Sequence, residues 1–582
     1  MRAMPLCLAV RWSVYATIAC SVALPGCSSS IFSDPEAGTA EQSTASPEDP
    51  PVLKLDFPEP TAGEPAKQKN PLREGSGSGD PLKWVAPAPD KAEVAPGAKH
   101  AAAAKPRKGK GTETPFDPIR ENGEFFVGWP KPRLALVLTG CLDGYFEPCG
   151  CAGLDRMKGG LSRRCTMLDE LRQKKGWPVL ALDVGGLIKG FGRQTNLKFQ
   201  SLLLATQTMG YNAIGLGRGE LKLTTGELLS CVATTPGTEG PFPFVSANVG
   251  VLGLGENRPP ATRVLKAGGL KIGVTSILGK TYQAEVGNSE IEMIDPKTAL
   301  QKIVPVFQKE GCDLSVLLAH ATVEESTELA RQFPQFQVVV TAGGAPEPPA
   351  DRTELAGGRQ TLVEVGEKGM NAIVLGFFDD LKQPPRYQRV ILDSRYPAAP
   401  RIVSLMAQYQ SQLREDGLEK LEVRPIPHPQ AKLLGRYVGS KKCAESCHEP
   451  SYEVWRKSGH AKAYDTLLGA SPPRDADPEC AACHVTGWYS QGFSPYQGGF
   501  LSREKTPHLV HVGCESCHGP GGAHVDAEMG SDDALKLKLQ KASVVTKAEA
   551  EKRLCVTCHD LDNSPHFDFA TDWPLVEHQE KE

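Results

Sequence analysis

Four short cysteine–histidine motifs constrain this chain more than any other feature. They read Cys443-Ala-Glu-Ser-Cys447-His448, Cys480-Ala-Ala-Cys483-His484, Cys514-Glu-Ser-Cys517-His518 and Cys555-Val-Thr-Cys558-His559, and they hold every cysteine beyond Cys312. Three have the spacing Cys-x-x-Cys-His, the attachment signature of c-type haem. Two cysteines about one helical turn apart can form thioethers with the two vinyl groups of one porphyrin. The adjacent histidine is then carried beneath the iron. A single motif of this kind is open to zinc or to thiol redox chemistry, but three copies and a near-copy argue against both. The first motif has one extra residue. Its spacer can loop out and permit attachment; the alternative is a Cys443–Cys447 disulfide. The motifs therefore predict four haem c groups. Cys443, Cys447, Cys480, Cys483, Cys514, Cys517, Cys555 and Cys558 are the thioether anchors, and His448, His484, His518 and His559 the proximal iron ligands. Met529 is the one methionine of this region, and six further histidines are present: His460, His508, His511, His524, His566 and His578. Bis-histidine ligation is the economical reading, and it places the haems low on the redox scale.

The N-terminus sets the compartment. Arg2 and Arg11 flank or precede an apolar run from Trp12 to Leu24, too short for a mature membrane span and suited to an export signal. Leu24-Pro25-Gly26-Cys27 resembles a bacterial lipobox, which implies cleavage before Cys27 and lipidation of its thiol; the alternative is an ordinary exported protein. Residues 1–26 are read as the signal. Residues 27–112, rich in Pro, Ala, Glu, Gly, Ser and Lys, are read as a disordered tether. The chain is then a lipoprotein on the periplasmic side of a bacterial membrane. A net charge of −4 over 582 residues, with no basic stripe, gives no case for nucleic acid.

From about residue 130, apolar β-branched runs alternate with helical periodicity. Strands are expected at 134–138, 179–184, 213–216, 242–248, 272–277, 314–319 and 337–341, and helices at 161–175, 197–209, 297–309 and 325–331. Hairpin-like strands follow at 361–365, 371–377 and 387–392. This is an α/β domain over 113–396, joined by a connecting helix or linker (397–432) to a region of helix and loop (433–582).

Two resemblances follow. The stretch TGCLDGYFEPCGCAGLDRMKGGLSRR (139–164), with LALDVGGL (180–187), GYNAIGLGRGEL (210–221), LLAH (317–320) and VVVTAGG (338–344), resembles the 5′-nucleotidase branch of the calcineurin-like metallophosphoesterases. The resemblance implies an α/β sandwich. It also implies two metal ions, but the ligand positions carry Cys141-Leu142-Asp143, Gly185-Gly186, Arg218-Gly219-Glu220 and Ala342-Gly343-Gly344 instead, and only His320 survives. The expectation is the fold without the two-metal chemistry. Cys141, Cys149, Cys151 and Cys165 cluster nearby, as disulfides or unligated thiols or as a soft metal site.

The segments YVGSKKCAESCHEPSYEVWRKSGHAKAYDTL, DPECAACHVTGW, TPHLVHVGCESCHGPGGAH, CVTCHDLDNSPHFDF and WPLVEH resemble the multihaem cytochrome c554 type. That resemblance implies His460, His508, His524 and His578 as distal iron ligands, with His511 and His566 as competitors. It also leaves room for one five-coordinate haem. The expected function is a membrane-tethered periplasmic electron carrier with four haems, exchanging electrons with redox partner proteins that the sequence does not name. The alternatives are a haem-dependent oxidoreductase of a small nitrogen or sulfur compound, or a phosphoester hydrolase with an altered metal site.

Overall fold

The computed structural model describes residues 116–148, 156–232, 242–253, 259–445, 447–560, 563–564 and 566–578. The expected signal, Cys27, the tether, Cys149 and Cys151 lie outside these residues.

The apolar runs of the central domain form two six-stranded sheets. The first has the order Arg386–Ile391, Asn371–Phe377, Leu134–Thr139, Val179–Asp183, Tyr211–Gly215, Phe244–Val245; its last four strands are parallel, and Asn371–Phe377 runs antiparallel to both of its neighbours. The second has the order Thr353–Leu355, Gln360–Glu364, Val338–Thr341, Leu314–His320, Leu270–Leu278, Arg263–Ala267, parallel inside and antiparallel at both edges. Parallel strands covered on both faces read as unbroken apolar runs, which is why the inner strands are legible. Leu134, Leu136 and Leu138 share a core with Ile272, Val274, Val316 and Leu318 between the sheets. Leu317, Ala319 and Val339 point the other way, against Leu300, Ile303 and Phe307 of the helix Pro296–Glu310, as the two-residue period of a strand requires. Asp295 caps that helix, Pro296 opens it, and Gly311 closes it in the left-handed region at φ 64°.

Three expectations are corrected. The segment 361–365 does not join the 371–392 hairpin; Gln360–Glu364 pairs parallel to Val338–Thr341 in the other sheet. The strand expected at 242–248 shrinks to Phe244–Val245. The Asn248 side chain turns aside there, accepting from Leu278 N and donating to Leu278 O. The helix expected at 161–175 is α-helical only to Asp169 and closes with a wider turn over Glu170–Lys174.

Residues 397–432 join the two domains through a packed element. The helix Pro400–Lys420 buries Ile402, Met406, Tyr409 and Leu413 and lies along the helix Arg193–Thr208. Gly417, at φ 59°, breaks its regularity. Beyond it, Ile426 N–H donates to Pro495 O and Ile426 O accepts from Gln497 N–H, which ties the connection to the C-terminal region.

That C-terminal region is short helices and loops. Its apolar core is two small clusters, one around Tyr437, Tyr464, Leu467, Val485, Trp488, Phe500 and Leu509 and one of Leu434, Ala527 and Leu539. Among the described residues, no helix is long and apolar enough to cross a membrane.

Candidate functional site

Each motif sits at a helical turn. The second ends the helix Pro478–His484 and the third forms the helix Cys514–His518. In the fourth, His559 N–H reaches back to Cys555 O, four residues earlier; in the first, His448 N–H reaches Cys443 O, five residues earlier. The extra residue of the first motif is thus taken up in a wider turn that returns the histidine to its first cysteine. All eight motif cysteines are free thiols, so Cys443 and Cys447 do not form a disulfide.

The motif histidines are held for ligation. His484 Nδ1 donates to Ala463 O at 2.6 Å and His518 Nδ1 to Ser543 O at 2.7 Å, while His559 Nδ1 lies 3.1 Å from the Ser564 hydroxyl. Fixing the proton on Nδ1 leaves Nε2 as the nitrogen available to a metal. Burial holds His484, His518 and His559 below the usual histidine range, and His460 at about 4. All four are therefore neutral, the ligating form.

Three of the expected distal histidines face a motif histidine. The ring centroids of His448 and His524 are 6.2 Å apart, those of His460 and His559 6.0 Å, and those of His518 and His578 5.8 Å. Metal–imidazole bonds of roughly 2.0–2.1 Å on each side of one metal require a centroid separation of this order. His578 Nδ1 also donates to a backbone carbonyl, Val576 O at 2.8 Å. His508 enters none of these three pairs; it is exposed, and its ring lies against Gly439. His511 Nδ1 accepts from Tyr464 N–H at 3.3 Å, which puts its proton on Nε2 and removes the ligating lone pair. His566 is exposed and in none of the three pairs.

The motifs are grouped as well. The Cys443 thiol hydrogen-bonds the Cys514 thiol, and Cys483 hydrogen-bonds Cys558, so the first and third attachment points touch, as do the second and fourth. Cys517 of the third motif lies in the field of Cys555 and Cys558 of the fourth. The attachment points are therefore contiguous in the order first, third, fourth, second. The donor sets fit covalent haem: two thiols and one imidazole per motif, the imidazole held at Nδ1 in the second, third and fourth, with a second imidazole opposite three of them.

Two groups that no sequence motif marks hold this arrangement. Glu515, between the cysteines of the third motif, is 4% exposed and accepts from Val438 N, Gly439 N and Gly521 N. It thereby fastens the chain leading into the first motif against the third. Thr486, two residues after His484, accepts from Gly513 N and donates to His511 O, which fastens the second motif to the third. Neither has a sequence signal, since each partner lies far away in the chain. The run Gly519–Gly522 has its own reason: a Cβ at Gly522 would lie 2.7 Å from Arg436 O.

In the central cleft, the residues present do not fit a two-metal centre. Glu220, fully buried and held up to about 7 by that burial, accepts from Gly186 N, Leu187 N and Gly217 N. A Cβ at Gly186 would lie 3.1 Å from His320 Cε1, and one at Gly217 only 2.6 Å, so the His320 ring occupies the room that side-chain ligands would need. His320 is neutral, lowered to about 4 by burial, with Nδ1 3.3 Å from Val184 O. Asp183 is spent on Thr139 and Gly185 N. Arg218 turns outward over the Tyr282 ring and pairs with Glu285. Cys141 donates to Ala342 O at 3.4 Å, burial pushes its thiol up, and neither it nor Cys165 forms a disulfide. Among the described residues, no three histidine, cysteine, aspartate or glutamate side chains converge as a metal ion would need.

Residues 442–519 match the family described as cytochrome c554 and c-prime. Cytochrome c-554 of Nitrosomonas europaea is 36% identical over 150 residues, 22% of this chain, and the chain spans 60% of that protein's length. Among solved structures, a 5′-nucleotidase precursor of Thermus thermophilus is similar at 20% identity and a TM-score of 0.42, over 53% of this chain and 61% of that one. The calcineurin-like phosphoesterase YfkN of Bacillus subtilis is similar at 16% identity and a TM-score of 0.39, over 50% of this chain and 99% of that one. Over these residues the C-terminal region is similar to cytochrome c554.

Two substitutions test these sites. Glu515→Ala leaves three backbone N–H groups without their acceptor, at ~1–3 kcal/mol for each that stays buried. Thermal unfolding should show a loss of ~3 kcal/mol or more, and the haem absorbance per chain should fall. Gly186→Asp places a side chain against His320 at φ 80°. It should destabilise by ~2 kcal/mol and yield no phosphodiesterase activity with added Mn²⁺; a metal-dependent gain would contradict the reading of the cleft.

Proposed function

We propose that this chain is an exported multihaem cytochrome that carries electrons through four covalently bound haems, anchored to a membrane through a lipid on Cys27. The observation that carries the reading is the convergence of four attachment motifs in one contiguous order, three of them with a second imidazole about 6 Å from the first. Bound haem supplies one-electron iron chemistry. The protein's part is to hold the attachment points together and to fix the imidazoles.

In this reading His448 and His524, His559 and His460, and His518 and His578 are the axial pairs, and His484 is the proximal ligand of the second site. Imidazoles on both sides of an iron favour low potentials, and His518 and His578 are both anchored to backbone carbonyls. The path runs from the first motif through the third and fourth to the second. The tether of residues 27–112 lets the domain reach redox partner proteins on the periplasmic side.

Pyridine haemochrome analysis with mass determination should count four haems per chain, and a count below three would overturn the reading. Carbon monoxide titration of the reduced protein tests the axial pairs. Each of His460→Ala, His524→Ala and His578→Ala should add one carbon-monoxide-binding haem per chain relative to the parent, whereas His511→Ala should add none.

A further inference from the structure

The central domain grips one haem-attachment helix in particular. Gln194 and Lys198 lie one turn apart near the start of the helix Arg193–Thr208 and face the C-terminal region together. Gln194 Nε2 donates to Asp477 Oδ1 at 2.9 Å, Gln410 Nε2 donates to Asp477 Oδ2 at 3.0 Å, and Lys198 Nζ pairs with Glu479 Oε1 at 2.6 Å. Asp477 is the N-cap of the helix Pro478–His484, and its Oδ1 also accepts from Glu479 N. That helix carries Cys480, Cys483 and His484.

These contacts place charge beside one site. Asp477 is 5% exposed and Lys198 8% exposed. Left to itself, the N-terminus of this helix would carry two adjacent carboxylates, Asp477 and Glu479, next to the thioether anchor Cys480. The central domain sets an ammonium and one amide N–H donor against them, and the connecting helix a second amide from Gln410. The fields of Asp477, Arg474, Glu479 and Lys198 all reach the Cys480 sulfur. Arg474 Nη1 in turn donates to Pro148 O of the central domain. The Lys368 cation, also central, lies in the field of Asp560, the residue after His559. Central-domain cations thus stand beside the second and fourth motifs, whose thiols touch.

A side chain that served only to dock two domains would not need a buried cation. Desolvating an ammonium is costly unless it is paired, and a neutral contact of the same shape does the same docking. A fixed charge in a low-dielectric setting, by contrast, acts over several ångströms on any neighbouring redox centre.

We propose that Lys198 is a positioning and potential-setting residue for the second haem, through which the central domain offsets the carboxylates of Asp477 and Glu479 and keeps that haem easier to reduce than its own helix would leave it. The proposal rests on the haem reading above. It gives the degenerate phosphoesterase-like domain a task that needs no metal of its own: it is an electrostatic partner that biases electrons toward the second and fourth haems.

The test is a spectroelectrochemical titration of the full, haem-loaded chain and four variants, each first checked for haem content by pyridine haemochrome. Lys198→Met should lower one resolved one-electron component, with the ferrous:ferric ratio at fixed potential falling roughly ten-fold, ~59 mV for a one-electron couple. Glu479→Gln should raise the same component by a similar amount, the double variant should return it near the parent value, and Lys198→Arg should leave it in place. If Lys198→Met fails to load haem, a raised component in Glu479→Gln beside an unmoved one in Lys198→Arg supports the proposal, and an unmoved component in Glu479→Gln overturns it. Superimposable titrations at full haem content, or single variants that shift in the same direction, would overturn the proposal. A parent chain with fewer than three haems would instead defeat the haem reading itself.

Discussion

One carboxylate organises the haem-binding region of this protein. Glu515 sits inside the third motif, yet its partners are the backbone N–H groups of Val438 and Gly439, just ahead of the first motif, and of Gly521, just after the third. Burial alone would favour its neutral form, and the three donors oppose that. The carboxylate brings together stretches 76 residues apart and sets Cys443 against Cys514. Without that contact the motifs would be beads on a chain; with it they become neighbours. Thr486 plays the corresponding part between the second and third motifs.

The small protein core of this region fits the same logic. Two modest clusters of apolar residues serve the region, one between Tyr437 and Leu509 and one of Leu434, Ala527 and Leu539. In the proposed function, covalently bound porphyrins add apolar volume to this interior. The central domain is built the other way. Its two sheets are closed by aliphatic side chains, and its cleft is filled by Glu220 and His320.

The sequence reveals these two halves unequally. Inner strands such as 134–139 and 314–320 are legible because burial on both faces forces unbroken apolar runs. The edge strands Arg263–Ala267 and Thr353–Leu355 are half-exposed and polar, and carry no such pattern. The Cys-x-x-Cys-His spacing is legible because the chemistry is local. Distal ligation is not local: His524 meets His448 from 76 positions away, and no spacing rule distinguishes His524 from His508 or His511. A buried lysine such as Lys198 is equally hard to foresee, since in a helix pattern it reads as a solvated residue. Its burial depends on a partner, Glu479, 281 residues on.

The account stands most directly on which imidazoles share an iron. A crystal structure of the haem-loaded chain would settle it. The account predicts one iron between His448 and His524, one between His460 and His559, and one between His518 and His578, with haems following one another in the order first, third, fourth, second. An iron shared by any other pair of these histidines, or a Cys443–Cys447 disulfide in place of the first haem, would contradict it.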